Sequence, residues 1–342
     1  MMWFGVLYGS IWFHFLAIAA AFVILFRGAD LFVDAAVGIS ENLHLPRMLV
    51  GIIIVGLGTT APEITVSVIS AMRGESAFAL GNALGSVVVD DGVALALAAL
   101  LAPTAIIVDK VLLKRSGLFL ILAAILAYIL GFNGMISRLE GALLVLALFV
   151  YWTWSILAER KDRKNREPME LPKDAMPLNK CFLLFFIGLI GVIAASYAIV
   201  GSSEKVAHYF GVPEVIIGLT ILAIGTSLPE ISTAIVAARK GEGEISVGNI
   251  LGADILNLLW ITGVSSVVNP IDIRGENIEL NLIFTRIPQV PSVHFGYIWT
   301  FIMFLTMLGI LRSGYKLGKR EGVILLVLYA IYFYMNFSMF AG

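Results

Sequence analysis

The chain of 342 residues has one cysteine, four histidines and a charged fraction of only 14%. A single thiol, Cys181, excludes an intrachain disulfide and a thiolate metal site, so cysteine usage says nothing about the redox compartment. A formal net charge of −1 leaves no basic stripe to neutralise phosphates, which removes nucleic acid from the expected partners. No phosphate loop, nucleophile motif or His/Cys cluster is present, so an enzyme reading has nothing to rest on, and neither catalytic residues nor a cofactor are expected. The stretch from Met1 to Phe26 lacks a basic leading segment, and its apolar run is too long for a signal peptide. It reads as an uncleaved first membrane helix.

What the chain has in excess is apolar surface. With 59% hydrophobic residues and a mean hydropathy of +0.95, it cannot hide that surface in one water-soluble core. The composition predicts an all-α integral membrane protein in contact with a lipid bilayer. Ten windows are long enough to span: 4–37, 46–71, 77–101, 112–132, 139–158, 181–203, 213–238, 245–268, 294–311 and 322–340. A polar connection, 159–180, divides five helices in 1–158 from five in 181–342 and reads as a solvated linker. With the N-terminus outside, the inside connections carry seventeen Lys and Arg against five in the outside ones. Both termini are therefore expected outside and the central loop in the cytoplasm. An odd number of helices per half then makes the second half enter the membrane from the opposite side.

The halves are copies. Gly58-Thr59-Thr60-Ala61-Pro62-Glu63 is matched in the second half by Gly225-Thr226-Ser227-Leu228-Pro229-Glu230. Gly-Asn-x-Leu-Gly follows at Gly81 to Gly85 and, at the same offset, at Gly248 to Gly252. From Pro46/Pro213 to Pro103/Pro270 the pairing is ungapped, with roughly 16 of about 58 positions identical. The fold expected is ten transmembrane helices in two inverted five-helix repeats, the architecture with which secondary transporters build two gates around one midplane site.

A proline inside a helix removes one N–H and crowds the carbonyl four residues back, here Gly58 and Gly225. In lipid such groups are tolerated only when buried in protein or lining a cavity, and a glutamate at that depth needs a partner. Thr59 and Glu63, like Thr226 and Glu230, are spaced four apart and predict a shared helix face. Hydroxyl, carbonyl and carboxylate oxygens gathered twice suit a hard cation such as Ca²⁺. The next helix of each repeat adds a stripe of Asn82, Ser86 and Asp90, or Asn249, Ala253 and Asn257, and glycine faces for close packing. Kinks and packing alone would account for a single proline or a glycine face, whereas two glutamates at matched positions point to a site.

These motifs resemble the two alpha repeats of the sodium/calcium exchangers, within the calcium/cation antiporter superfamily. The resemblance rests on the two Gly-Thr-x-x-Pro-Glu blocks, the two Gly-Asn-x-Leu-Gly blocks and Arg27-Gly-Ala-Asp-Leu-Phe-Val33, and covers nearly the whole chain. It implies that Glu63 and Glu230 coordinate Ca²⁺ and Na⁺, aided by Thr59, Thr60, Thr226, Ser227, Ser86, Asp90 and Asn257, with the carbonyls of Gly56 and Ala223 facing Na⁺. It also implies two long tilted helices that slide during alternating access. Proton-coupled relatives typically carry a glutamate where this chain has Gly85 or Gly252, which favours the sodium-coupled branch.

Several positions depart from the family pattern. Asp90 stands where asparagine is frequent, Ala253 where serine is expected and Asp254 where asparagine is usual, while Asp91 is extra. Asp91 and Asp254 read equally as groups flanking the ion path or as protonated groups bonded to a neighbouring helix. Fourteen additional residues precede the ninth span, and Pro288 and Pro291 there suggest an irregular outside loop. The function expected is Na⁺/Ca²⁺ antiport in a cell-surface membrane, with Ca²⁺ and Na⁺ as transported ions. The rivals are H⁺ or K⁺ coupling, another divalent cation, a cation channel and a non-transporting paralogue. Oligomeric state is not readable.

Overall fold

The computed structural model describes residues 11–163, 176–211, 221, 223–274, 277–282 and 285–340. Helices dominate, because backbone groups in hydrocarbon must be satisfied within their own segment. In chain order they are α1 (Ile11–Leu43), the broken pair α2 (Arg47–Thr59) and α3 (Ala61–Met72), α4 (Ser76–Leu101), α5 (Lys110–Gly131), α6 (Arg138–Arg163) and α7 (Leu178–Tyr209). The second broken pair, α8 (Ala223–Thr226) and α9 (Leu228–Arg239), is followed by α10 (Gly243–Val268), α11 (Ser292–Gly314) and α12 (Lys319–Phe340). Among the described residues seven helices are long and apolar enough to cross a membrane, and the α2–α3 pair, bent by 48°, makes eight if it is one span. Six short strands, β1 (Ile106–Ile107), β2 (Met135–Ile136), β3 (Ile271–Asp272), β4 (Asn277–Leu282), β5 (Thr285–Pro291) and β6 (Lys316–Leu317), lie in the connections.

The helices form an inner group and a wrapping. The apolar windows of α4 and α10 are 78% and 83% buried, against 28% for α6 and 33% for α1 and α7. Large apolar side chains such as Leu16, Leu118, Leu139 and Ile190 stay exposed, as lipid contact requires rather than water. On the periphery α1 and α7 pack backbone to backbone. A Cβ on Gly188 would lie 2.6 Å from the Phe32 nitrogen and 2.7 Å from the Gly28 carbonyl oxygen, so glycine alone allows this approach.

The sequence repeat recurs in the backbone. Left-handed residues come in pairs: His44 (φ 52°) with Gly211 (φ 70°), and Gly74 (φ 90°) with Gly241 (φ 81°), both at the offset that relates Glu63 to Glu230. Gly134 (φ 76°) and Tyr315 (φ 54°) form a third pair at the larger offset that relates Glu140 to Glu321, which the additional residues before α11 explain. π-Helical turns begin at Asp90 and at Asn257, again related as Glu63 is to Glu230. β1 pairs with β6 and β2 with β3, both antiparallel, so each half supplies one strand to each two-stranded ribbon. At the start of α6 the Glu140 carboxylate accepts from the Ser137 N–H at 2.7 Å, and Glu321 accepts from the Gly318 N–H at 3.0 Å before α12. These acidic residues cap helices, as do the Asp109 contacts to the N–H groups of Val111 and Leu112, both 2.8 Å.

Several expected boundaries move. The predicted spans 46–71 and 213–238 are each broken in two, and residues 213–220 and 222 of the second lie outside the described residues. The polar linker is shorter than read, because α6 continues to Arg163 and α7 begins at Leu178; Glu159 is buried rather than solvated. Residues 1–10 and 164–175 lie outside the described residues. The segment expected as an irregular loop contains the antiparallel hairpin β4–β5, in which Pro291 is the last residue of the ladder, opposite Asn277. Proline is tolerated at such an end because no further ladder bond is needed there.

Candidate functional site

The break that organises the site lies two residues before each proline. Thr60 (φ −76°, ψ 0°) and Ser227 (φ −83°, ψ 6°) adopt the bridge conformation, and Pro62 and Pro229 then occupy the first turn of a new helix. In that position a missing N–H costs nothing, since first-turn donors have no intrahelical partner. The prolines therefore start α3 and α9 rather than kink a continuous helix. Glu63 and Glu230 fall in the same first turns, at the end of the helix dipole that favours negative charge. Each half thus presents a helix C-terminus rich in carbonyls and a helix N-terminus carrying a carboxylate.

The polar contacts cross between halves. Thr60 Oγ1 donates to Glu230 Oε1 at 3.1 Å, and Thr59 Oγ1 donates to Asn249 Oδ1 at 2.9 Å. In the opposite sense Thr226 faces Glu63, and Ser227 lies beside Asp90. The expected shared face of Thr59 and Glu63 is replaced by this exchange, because the chain turns at the intervening Thr60. Glu63, Glu230 and Asp90 are each 1% exposed and near enough to repel one another. Ser86, on the same stripe as Asp90, is buried as well. The Gly56 carbonyl already accepts from the Thr60 N–H at 3.0 Å and from Thr59 Oγ1 at 3.3 Å. α8 begins at Ala223, whose side chain lies outside the described ones.

Many of these oxygens lack a donor. Both Glu63 oxygens, Glu230 Oε2, Asp90 Oδ1, the Ser227 hydroxyl and both polar atoms of Asn257 are buried without a close hydrogen-bond partner among the described residues. Unpaired buried carboxylate oxygens are costly, and a cation that accepts them as ligands removes that cost. Among the described residues no group of three or more His, Cys, Asp or Glu side chains is arranged to hold a metal alone. An ion held here would draw on hydroxyl, amide and carbonyl oxygens as well, a donor set that suits hard cations rather than a soft metal. The π turns place Asp90 and Asn257 where the helical ladder is locally widened.

Asn249 is a participant that the sequence reading placed on a stripe but not in the site. It accepts from Thr59, and its amide nitrogen lies 3.5 Å from the Glu230 carbonyl oxygen. Its repeat partner Asn82 instead donates to Ser67 Oγ at 3.0 Å. The residue related to Ser67 is Ala234, which offers no hydroxyl, and this releases Asn249 toward the site. The signal was the asparagine preserved in both Gly-Asn-x-Leu-Gly blocks. Asp91 and Asp254, left undecided by the sequence, are wholly buried between α4 and α10 with their carboxyl groups adjacent.

Comparison with known proteins shows the family. The family model described as sodium/calcium exchanger protein matches residues 13–157 and 180–338. A putative antiporter, CaxA of Alkalimonas amylolytica, is 33% identical over 336 residues, covering 92% of this chain and 96% of that protein. The inner membrane protein YrbG of Escherichia coli (strain K12) is 36% identical over 303 residues, covering 82% and 92%. A solved structure of the sodium-calcium exchanger NCX_Mj superimposes with a TM-score of 0.77 at 25% identity, covering 94% of this chain and 98% of that one. The chain is a multi-pass membrane protein that belongs to the sodium/calcium exchanger family of cation antiporters.

Proposed function

We propose that this protein exchanges Na⁺ for Ca²⁺ across the membrane by alternating access, both ions competing for one oxygen cluster. The observation that carries this reading is the crossed pairing of two broken helices around carboxylate oxygens that have no donor. Glu63, Glu230 and Asp90 supply the charge; Thr59, Thr60, Thr226, Ser227, Ser86 and Asn257 supply neutral oxygens. The Gly56 and Ala223 carbonyls serve Na⁺, the former once the Thr59 hydroxyl turns away. Occupation by either ion neutralises the cluster and lets α1 and α7 slide across it, whereas an empty, charged cluster resists passage through the apolar barrier. That inequality enforces exchange over leak.

The accompanying topology is ten spans in two inverted repeats, 1–158 and 181–342, joined by a cytoplasmic linker, with both termini outside a cell membrane. The paired left-handed residues and crossed strands support the repeat, and the distribution of Lys and Arg supports the orientation. A second reading, coupling to H⁺ or K⁺, is favoured by the buried Asp91–Asp254 pair.

The deciding experiment is ⁴⁵Ca²⁺ uptake into proteoliposomes loaded with Na⁺, beside K⁺-loaded vesicles and a proton gradient. Uptake that needs internal Na⁺ and saturates is expected. Uptake driven only by protons or K⁺ would transfer the assignment to the second reading, non-saturating flux would indicate a channel, and none under any gradient a different cation or a silent paralogue.

A further inference from the structure

A cavity of about 280 Å³ lies on the flank of the molecule between α5 and α11, away from the ion cluster, lined by Leu113, Lys114, Gly117, Leu118, Leu308 and Arg312 among others. Its floor exists because Gly117 lets α11 come close: a Cβ there would lie 2.8 Å from Leu308 Cδ2. Leu118 is 61% exposed, so the cavity opens toward the surroundings of the helices rather than the protein interior. Lys114 and Ile121 lie two turns apart on one face of α5, which gives an apolar track of roughly 10 Å. Lys114 and Arg312 both line the cavity, near the start of α5 and the end of α11.

The fold explains those cations only in part, since Arg312 lies in the last turn of α11, where the helix dipole favours positive charge. Neither has an ion-pair partner among the described residues. Lys114 lies in the first turns of α5, where the helix dipole disfavours positive charge, and Lys110 and Arg115 crowd the same end. Lys110 Nζ lies 5.2 Å from the ring centre of Tyr315, which also lines the cavity and is held in the left-handed region at φ 54°. The repeat supplies a comparison. At the offset that relates Glu140 to Glu321, Phe295 and Gly131 occupy the places of Lys114 and Arg312, and the corresponding crossing is filled by Tyr128, Tyr297 and Phe301. The charge belongs to one groove only.

We propose that this groove binds an anionic phospholipid, its phosphate between Lys114 and Arg312 and an acyl chain along Leu118, Ile121 and Leu308. Arginine pairs phosphate oxygens in a fork, lysine adds a point charge, and Tyr315 provides the amphipathic ring that favours headgroup depth. The Lys/Arg count assigns this end to the cytoplasmic leaflet, where anionic lipids concentrate.

Native mass spectrometry of the purified full chain, titrated separately with phosphatidylglycerol, phosphatidylcholine and inorganic phosphate, tests the assignment. Retention of phosphatidylglycerol over phosphatidylcholine is expected, with inorganic phosphate unable to displace it. Lys114→Gln/Arg312→Gln should weaken phosphatidylglycerol binding roughly thirtyfold, each charge contributing about 1 kcal/mol at an anionic surface. Each single variant should weaken it about fivefold, which serves if the double variant does not fold. Lys205→Gln, an exposed cation on α7, should leave binding unchanged. Equal retention of both lipids, displacement by phosphate, or wild-type affinity in the variants would overturn the proposal.

Discussion

The two halves share a backbone plan but differ in their ion pairs. In the second half, Lys240 at the end of α9 reaches α1, with Nζ 2.8 Å from Asp34 Oδ1 and 3.3 Å from Asp30 Oδ1. At the repeat-related positions Arg73 would meet Tyr197 and Gly201, neither acidic, and among the described residues it forms no ion pair. On the Lys240 end Arg47 also bridges Glu242 and Glu41. The glycines of α10 add a close approach of α2: a Cβ on Gly248 or Gly252 would overlap the carbonyl oxygens of Met48 or Ile52. Near-identical motifs thus carry different ion pairs, Lys240 being paired and Arg73, among the described residues, not. In a carrier of alternating access such a difference distinguishes two conformations, and partly exposed ion pairs worth about 1 kcal/mol or less bias that equilibrium without locking it.

The largest test of this comparison is at the carboxylates, where the halves should be equivalent. Glu63→Gln and Glu230→Gln are each expected to reduce Na⁺-driven Ca²⁺ uptake at least a hundredfold, about 2.7 kcal/mol. Retained transport in one of them would show that a single half carries the ion. Next comes the close approach of α10 to α2: Gly252→Ala should cost about 2–3 kcal/mol of stability from overpacking. Thermal unfolding in detergent measures it, and a loss under about 0.5 kcal/mol would contradict that approach.

The latch itself predicts a smaller effect. Lys240→Gln should shift the conformational balance about fivefold, read as faster amide hydrogen exchange in the C-terminal part of α1, diminishing with added salt. Arg73→Gln should leave exchange in α7 unchanged. The smallest effect concerns the strained pair His44 and Gly211. His44→Gly should stabilise by about 1 kcal/mol by relieving a left-handed L-residue, and Gly211→Ala should destabilise by a similar amount. Opposite signs at related positions would sharpen the repeat at the level of single dihedrals.

The legible part of the site was the part that is local. Glycine, threonine, proline and glutamate at fixed spacing announce a helix interruption with oxygen ligands, and copying the block announces a partner. The place of the break at Thr60 and Ser227 was not legible, because proline is compatible with both a kink and a first helical turn and only packing chooses. Asn249 escaped because its role depends on Ala234, a residue with no chemistry of its own. The β4–β5 hairpin escaped because Pro288 and Pro291 are loop signals until one falls at a register shift and the other ends the ladder.

By itself the sequence determined the membrane class, the repeat, the two glutamates and the excess of Lys and Arg on one set of connections. Each of these is written in composition or in spacing along one segment. Tertiary structure alone decided that Thr60 bonds to Glu230 and Thr59 to Asn249, that Asp91 lies against Asp254, and that Lys240 finds Asp30 and Asp34. Each of these contacts joins residues from opposite halves of the chain. Helical periodicity fixes which face a side chain occupies, but the docking of one half on the other fixes what that face meets.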